Sequence, residues 1–155
     1  MNERHMRFMH LPPTARARAA KALGLSGPQG EHLVFVYGTL LKGECNERRA
    51  PRARRQRAWA LGTIYDTGWG FPAFVRDGRT RIKGELLTVD DEAFRSMDIL
   101  EGCPRLYRRE RIRVHLEGGS FRLAWVYIMN RLPESAALIE SGDWKAHRRA
   151  KGEGR

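Results

Sequence analysis

One carboxylate in this sequence lies where helix electrostatics disfavour it. The segment DDEAFRSMDILEG predicts a helix that begins after an N-cap at Asp90 and ends at Gly102. Glu101 then falls in the last turn, where the carbonyl end of the helix dipole repels an anion. Repulsion together with partial burial would raise the carboxyl pKa toward neutrality, as a general acid or base requires. The alternative is a solvent-facing glutamate paired with Arg105 or Arg108.

The second candidate for chemistry is the stretch VFVYGTLLKG, in which an apolar strand ends abruptly in a loop. The strand, Leu33 to Tyr37, is apolar on both faces, which predicts a buried and central position in a sheet. Gly38 has no Cβ, so a ligand can approach the main chain closely there. Successive backbone N–H groups in such a loop can bind an anion.

Other catalytic arrangements find little support in the residues. The two cysteines, Cys45 and Cys103, are too few for a disulfide framework or a cysteine-based zinc site. No Ser-His-Asp or Cys-His pairing is suggested by the five scattered histidines, which are His5, His10, His32, His115 and His147. We therefore expect a reduced, cytoplasmic protein, and these residues suggest no metal site.

Strand patterns dominate the elements that must position these residues. Arg57 to Tyr65, Phe71 to Val75 and Arg81 to Val89 each read as a strand. The segments YRRERIRVHLE and SFRLAWVYIMN follow, separated by a Gly118-Gly119 hairpin signal. Six short strands with one convincing helix predict a curled sheet or small barrel in the α+β class.

Composition divides the 155 residues into three parts. Residues 1–30 predict a basic, partly mobile extension, residues 31–147 the folded domain, and residues 148–155 a basic tail. The N-terminus shows no signal-peptide pattern, and the sequence contains no apolar run as long as a membrane span, so we expect no membrane partner. Oligomeric state is left open by the sequence.

The charge balance favours anionic partners. Twenty-nine Lys and Arg stand against eighteen Asp and Glu, a formal net charge of +11. The run ERRAPRARRQR, Glu47 to Arg57, suggests either a solvated loop or a surface for RNA or an acidic partner. Base stacking is not indicated there, because the only close aromatic residue is Trp59, so we expect nucleic-acid binding to be weak and non-specific.

Four motifs that stand in one order carry a resemblance: VFVYGTLLKG, FPAFV, IKGELLTVD and MDILEGCPRLYRRERIRV. Together they resemble the γ-glutamylcyclotransferase-like family, closest to its γ-glutamylamine cyclotransferase branch. The similarity runs from about Leu33 to Trp144. It implies a small mixed or antiparallel β-barrel of about six strands with flanking helices.

The resemblance also implies a reaction and a site. Family members cyclise a γ-glutamyl amine or peptide to 5-oxoproline and release the free amine, a transferase or lyase type of chemistry without a cofactor. Position by position, Glu101 matches the general acid/base, Tyr107 matches a tyrosine near the site, and the loop that holds the γ-glutamyl group matches Tyr37, Gly38, Thr39 and Leu40. Tyr127 is a further candidate, and Trp69 either lines a leaving-group pocket or caps the core.

Two other functions compete with this one. A non-catalytic binding module would use the arginine surface around Arg52, Arg54, Arg55 and Arg57 to contact RNA or an acidic protein. A related γ-glutamyl amide hydrolase would release free glutamate in place of 5-oxoproline.

Overall fold

The computed structural model describes residues 30–152, so the predicted extension at residues 1–30 lies, apart from Gly30, outside the described residues. Within them the chain forms six strands, two α-helices and one 3-10 turn. In chain order these are β1 (Glu31–Val36), the turn Glu47–Arg49, β2 (Arg54–Asp66), β3 (Pro72–Asp90), α1 (Asp91–Leu100), β4 (Tyr107–Leu116), β5 (Phe121–Met129), β6 (Ala137–Leu138) and α2 (Trp144–Ala150).

The sheet closes on itself as a barrel. Its strands follow the order β3-β1-β5-β4-β2-β6, and an additional pairing of β3 with β2 closes a ring of five strands, with β6 attached to β2. β1 and β5 are parallel, whereas the other pairings are antiparallel. The predicted α+β class and small mixed barrel are confirmed.

Strand β1 is apolar on both faces because it separates two apolar clusters. Phe35 belongs to the cluster inside the barrel. Val34 and Val36 belong to a second cluster, which also contains Phe94 and Met97 of α1. All three β1 residues are buried. A central strand packed on both faces needs no polar side, which is why the alternation of a half-exposed strand is missing here.

The prediction of two separate strands at Phe71–Val75 and Arg81–Val89 is wrong, because both belong to the 19-residue strand β3. The pairing partner in β3 jumps from Thr80, opposite Gly62, to Val75, opposite Thr63. The intervening residues, 76–79, bulge out of the ladder, and Gly78 among them has a φ of 128°. A bulge places an Asp-Gly turn signal inside one continuous strand.

Helix α1 has the predicted ends. The Asp90 carboxylate accepts a hydrogen bond from the Ala93 N–H at 2.8 Å, as an N-cap should. Glu101 caps the C-terminus, and Gly102 follows with a φ of 60°. This cap sets the direction of the Glu101 side chain.

Helix α2 crosses the boundary that composition placed between residues 147 and 148. It begins at the buried Trp144, which packs in the barrel cluster. Arg148 remains attached to the domain through an ion pair with the buried carboxylate of Glu44, at 2.6 Å. Packing at one end of the helix therefore orders residues whose basic composition suggested a tail.

Candidate active site

All six residues that the sequence analysis assigned to the site line one cavity. Its volume is about 320 Å³, and its wall includes Tyr37, Gly38, Thr39, Leu40, Glu101 and Tyr107. Tyr127 and Trp69, which were left as candidates, line the same cavity. The fold thus brings together residues from the loop after β1, the turn before β3, the end of α1, the start of β4 and the second half of β5.

The loop after β1 presents unused backbone donors. The Leu41 N–H donates to the Gly38 carbonyl at 3.0 Å, and the Asn46 N–H donates to the Thr39 carbonyl at 2.8 Å. Among the described residues, no hydrogen bond uses the N–H of Gly38, Thr39 or Leu40. Consecutive N–H groups on a cavity wall can bind a carboxylate or a developing oxyanion.

Gly38 is required by packing against Pro72. A Cβ at this position would lie 2.6 Å from Cγ of Pro72. The space that a side chain would occupy is therefore filled by the proline ring at the start of β3. The sequence argument, which assigned that space to a ligand, is corrected in this respect.

Glu101 is a partly buried carboxylate that stands alone in the described part of the chain. Within residues 30–152 it makes no hydrogen bond or ion pair through its side chain. Arg108, one of its predicted alternative partners, pairs with Glu110 at 2.9 Å. Burial raises the pKa of Glu101 to about 7. The predicted direction is right, and burial, one of the two predicted causes, raises this pKa.

Three tyrosines surround this carboxylate, and each hydroxyl is occupied. Tyr37 donates to the Tyr127 carbonyl at 2.7 Å, and Tyr107 donates to the Pro72 carbonyl at 2.9 Å. Burial, with a further contribution from the Glu101 charge, raises the pKa of Tyr37 and Tyr107 above the usual tyrosine range. These tyrosines are neutral at any physiological pH, and among the described residues their hydroxyls donate to backbone carbonyls and not to Glu101.

Tyr127 is held by a carboxylate that sequence reasoning did not assign a role. Its hydroxyl donates to Asp98 Oδ1 at 2.7 Å, and Arg109 Nε lies 3.4 Å from the same oxygen. Burial, followed by the hydrogen bond to Asp98, raises the pKa of Tyr127. Asp98 lies in α1, three residues before Glu101, which caps the same helix. The helix and its cap therefore supply both the cavity carboxylate Glu101 and the Asp98 carboxylate that holds Tyr127 beside it.

The binding loop is fixed from behind by a buried ion pair that the sequence analysis also missed. Arg55 Nη1 lies 2.8 Å from Glu85 Oε1 and donates to the Leu40 carbonyl at 3.0 Å. The Lys42 N–H donates to the same Glu85 oxygen at 2.9 Å. The Arg55 and Glu85 side chains are only 15% and 16% exposed. The pair thus connects β2, β3 and the loop, and only the β2–β3 register brings its members together.

The arginine run is consequently not one surface. Arg52, Arg54 and Arg57 are exposed, whereas Arg55 faces inward and supports the loop. The prediction that these four arginines act together as one interface is wrong for Arg55. Replacing all four arginines at once would therefore disturb the loop after β1 as well as the surface charge.

The turn before β3, whose residues Trp69 and Gly70 line the cavity, is anchored by a second carboxylate. Asp66 Oδ1 accepts a hydrogen bond from the Gly68 N–H at 2.8 Å. Its Oδ2 lies 2.7 Å from His147 Nε2 and 3.0 Å from Lys151 Nζ, both contributed by the C-terminal part of the chain. The turn that follows carries Trp69, whose side chain is 58% exposed at the cavity mouth.

Among residues 30–152 no group of three or more His, Cys, Asp or Glu side chains is arranged to hold a metal ion. No helix of this part of the chain is both long and apolar enough to cross a membrane.

Comparison with known proteins identifies the same region. The family model of gamma-glutamyl cyclotransferase, AIG2-like, matches residues 34–146. The chain is 32% identical over 123 residues to the gamma-L-glutamyl-butirosin B gamma-glutamyl cyclotransferase of Niallia circulans, covering 74% of this chain and 76% of that protein. It is 34% identical over 96 residues to human gamma-glutamylaminecyclotransferase, covering 54% of this chain and 62% of the relative.

A solved structure shares the fold. YkqA from Bacillus subtilis superposes with a TM-score of 0.67 at 26% sequence identity. The match covers 81% of this chain and 44% of that chain.

Proposed function

The chain belongs to the gamma-glutamyl cyclotransferase, AIG2-like family, and on that premise we propose that it cyclises the γ-glutamyl group of an amine to 5-oxoproline. The α-amine of the glutamyl group attacks its own γ-carbonyl carbon, and the amide bond to the leaving amine breaks. One C–N bond forms and one breaks, and a proton moves from the attacking nitrogen to the departing one. No oxidant, reductant or water is consumed.

The observation that carries this proposal is the partnerless Glu101 carboxylate in the cavity. A carboxyl group with a pKa of about 7 can take the proton from the attacking amine and return it to the leaving amine near neutral pH. A glutamate held in an ion pair would not exchange protons in that range. Glu101 is therefore assigned the role of proton shuttle.

The loop after β1 is assigned to binding of the γ-glutamyl group. The unused N–H groups of Gly38, Thr39 and Leu40 can donate to the substrate carboxylate or to the oxyanion that develops on the γ-carbonyl. The Arg55–Glu85 pair keeps these donors in place before substrate arrives. Such preorganisation lowers the reorganisation needed in the transition state.

The cavity favours an amine over an amino acid as leaving group. Although the chain has 29 Lys and Arg, none of them is among the described residues that line the cavity. An amino-acid leaving group would bring a second carboxylate next to Glu101 without a counter-charge. The mouth instead offers Trp69, Phe71 and Leu106, which suit an apolar or aromatic amine.

The test is 5-oxoproline formation from matched substrates. We expect turnover of γ-glutamyl-butylamine and γ-glutamyl-benzylamine, and a kcat/KM at least about tenfold lower for γ-glutamyl-alanine, because one unpaired charge in the cavity costs more than about 1.4 kcal/mol. Turnover of γ-glutamyl-alanine as fast as the amines would overturn the leaving-group assignment. Free glutamate as the product would identify a hydrolase, and the absence of turnover on all three substrates would overturn the activity.

A further inference from the structure

The outward face of β4 and β5 combines arginines with aromatic rings. Ile112 and Val114 of β4 point into the barrel cluster, so the alternate residues Arg109, Arg111 and Arg113 face outward. The β5 residues that oppose these arginines in the ladder, or follow next along it, are Tyr127, Trp125, Leu123 and Phe121. Tyr127 belongs to the cavity, whereas the other three residues form a separate surface.

Several of these side chains are openly displayed. Leu123 is 58% exposed and Phe121 is 51% exposed. The Arg113 guanidinium lies 4.4 Å from the Phe121 ring centroid, and the Arg111 guanidinium lies 4.7 Å from the Trp125 ring centroid. The guanidinium planes and the rings therefore form one layer on the sheet.

The layer continues across the strand pair β2–β4. Trp59 stacks on His115 with ring centroids 4.0 Å apart and an interplanar angle of 11°. The Arg81 guanidinium lies 4.3 Å from the Trp59 ring centroid. We call the combined set of Arg81, Trp59, His115, Arg111, Arg113, Phe121, Leu123 and Trp125 the arginine–aromatic face.

The charge on this face has one sign. The acid within β4, Glu110, alternates with the outward arginines and pairs with Arg76 and Arg108. Two described acids lie at its edges: Asp98 of α1 contacts Arg109 beside the cavity, and Glu117, which follows β4, lies 4.0 Å from Arg57. A surface of arginines, the exposed ring of Phe121 and the partly buried rings of Trp59, His115 and Trp125, on a chain of net charge +11, calls for an anionic partner with flat, apolar groups.

We propose that the arginine–aromatic face binds single-stranded nucleic acid. Arginines neutralise phosphates, while unpaired bases stack on exposed rings or on guanidinium planes. A duplex keeps its bases inside and offers nothing to the rings. An acidic peptide would pair with the arginines but leave the aromatic residues unused. This function is separate from the proposed cyclisation, since none of the face residues lines the cavity.

The experiment measures binding of the full chain to fluorescent oligouridylate and oligothymidylate of about 12 nucleotides, a typical site size for such surfaces. Anisotropy is recorded between about 50 and 200 mM salt, with polyphosphate as a competitor that has charge but no bases. Comparing the Kd for oligouridylate with the Kd for oligothymidylate shows whether the face prefers RNA or DNA.

Two variants separate charge from stacking. Arg111→Gln/Arg113→Gln should raise Kd about tenfold and lower the slope of log K against log salt by about 1.4, since each lost phosphate contact removes about 0.7. Phe121→Leu keeps an apolar group but loses the ring, and should raise Kd about fivefold or more with the slope unchanged. Arg109 is left intact because it contacts Asp98, which holds Tyr127 of the cavity.

A matched control tests the competing surface. Arg48→Gln/Arg52→Gln removes two exposed arginines from the Glu47–Arg57 run and should change Kd by less than about twofold. Leu123→Lys adds charge at an exposed position and should tighten binding and steepen the slope by about 0.7.

Three outcomes would overturn the proposal. The first is no binding to either oligonucleotide at about 50 mM salt. The second is an equal loss of affinity in the Arg48→Gln/Arg52→Gln control. The third is unchanged affinity in Phe121→Leu together with full displacement by polyphosphate, which would identify a polyanion surface that ignores bases. Thermal unfolding of each variant shows whether it is folded, and Leu123→Lys tests the face by a gain of affinity.

Discussion

Two buried carboxylates, Glu101 in the cavity wall and Asp66 beneath the turn that carries Trp69, have pKa values shifted in opposite directions. Glu101 at the end of α1 has no side-chain partner within residues 30–152, and burial raises its pKa to about 7. Asp66 at the end of β2 is 5% exposed, and its burial also opposes ionisation. Hydrogen bonds from His147 and the Gly68 N–H, with Lys151 adding its charge, outweigh that burial and lower the pKa to about 2.

The difference shows that burial by itself does not decide what a carboxylate does. A buried carboxylate with several donors is a permanent anion that ties elements together. A buried carboxylate without donors can gain and lose a proton near neutral pH. Glu101 is therefore suited to proton transfer, whereas Asp66 holds the structure together. The following changes should distinguish these two roles.

The largest expected effect is on activity. Glu101→Gln should lower kcat/KM for a γ-glutamyl amine by about 10² to 10⁴-fold, since the amide cannot accept a proton. Asp66→Asn should stay within about tenfold of the parent protein when assayed well below its unfolding temperature, because Asp66 does not transfer protons. Initial rates of 5-oxoproline formation measure both. An equal loss of kcat/KM in Glu101→Gln and Asp66→Asn would contradict the difference in role between the two carboxylates.

Glu101→Gln should also stabilise the fold at alkaline pH. A carboxyl pKa raised from 4.5 to about 7 means that ionised Glu101 destabilises the folded state. This cost is absent below about pH 4.5 and complete above about pH 7, where it reaches about 3 kcal/mol. Denaturant unfolding should therefore show Glu101→Gln more stable than the parent at pH 8 and similar to it at pH 4.

An exposed glutamate provides the control for that measurement. Glu134→Gln should change the free energy of unfolding by less than about 0.5 kcal/mol at either pH. A Glu101→Gln variant that loses stability at pH 8 would contradict the assignment of Glu101 as a partnerless buried carboxylate.

The pH dependence of the rate should report the same group. If Glu101 must be ionised to accept a proton, kcat/KM should fall about tenfold per pH unit below its pKa of about 7. The rate at pH 5 should then be about a hundredfold below the plateau. The residual rate of Glu101→Gln should lack this limb, and a limb that persists in the variant would assign the ionisation to another group.

The smallest expected effect is the loss of folding stability in Asp66→Asn. Asp66 has a folded-state pKa of about 2 against a usual value of 3.8, so its ionisation stabilises the fold above about pH 4. That contribution, about 2 kcal/mol, is lost as the pH falls from about 4 toward 2. Asp66→Asn should lower the free energy of unfolding by this amount at pH 7, with exposed Asp77→Asn as the matched control. Equal stability of Asp66→Asn and the parent would contradict the role of the His147 and Lys151 contacts.

The predictable part of the structure rests on local patterns. The Asp90 cap, the apolar stripe and Gly102 bound helix α1 correctly, since each acts within one or two turns. The split of β3 was wrong because two apolar runs separated by a polar stretch have the same appearance whether that stretch is a turn or a bulge inside one strand. The supporting contacts, Arg55 with Glu85 and Asp66 with His147, join residues 30 and 81 positions apart, and no local pattern relates them.

The sequence by itself determined the central two-faced strand, the capped helix and an acid at that helix's end, because hydrophobic periodicity and capping are local properties. Only the tertiary structure decided that Glu101 is enclosed without a partner among residues 30–152, while Asp66 is enclosed with three. Desolvation and hydrogen bonding depend on every element that closes around a group, and barrel closure through β2 and β3 is a long-range event. For that reason the same tertiary structure leaves one carboxylate available for proton transfer and makes the other an anchor.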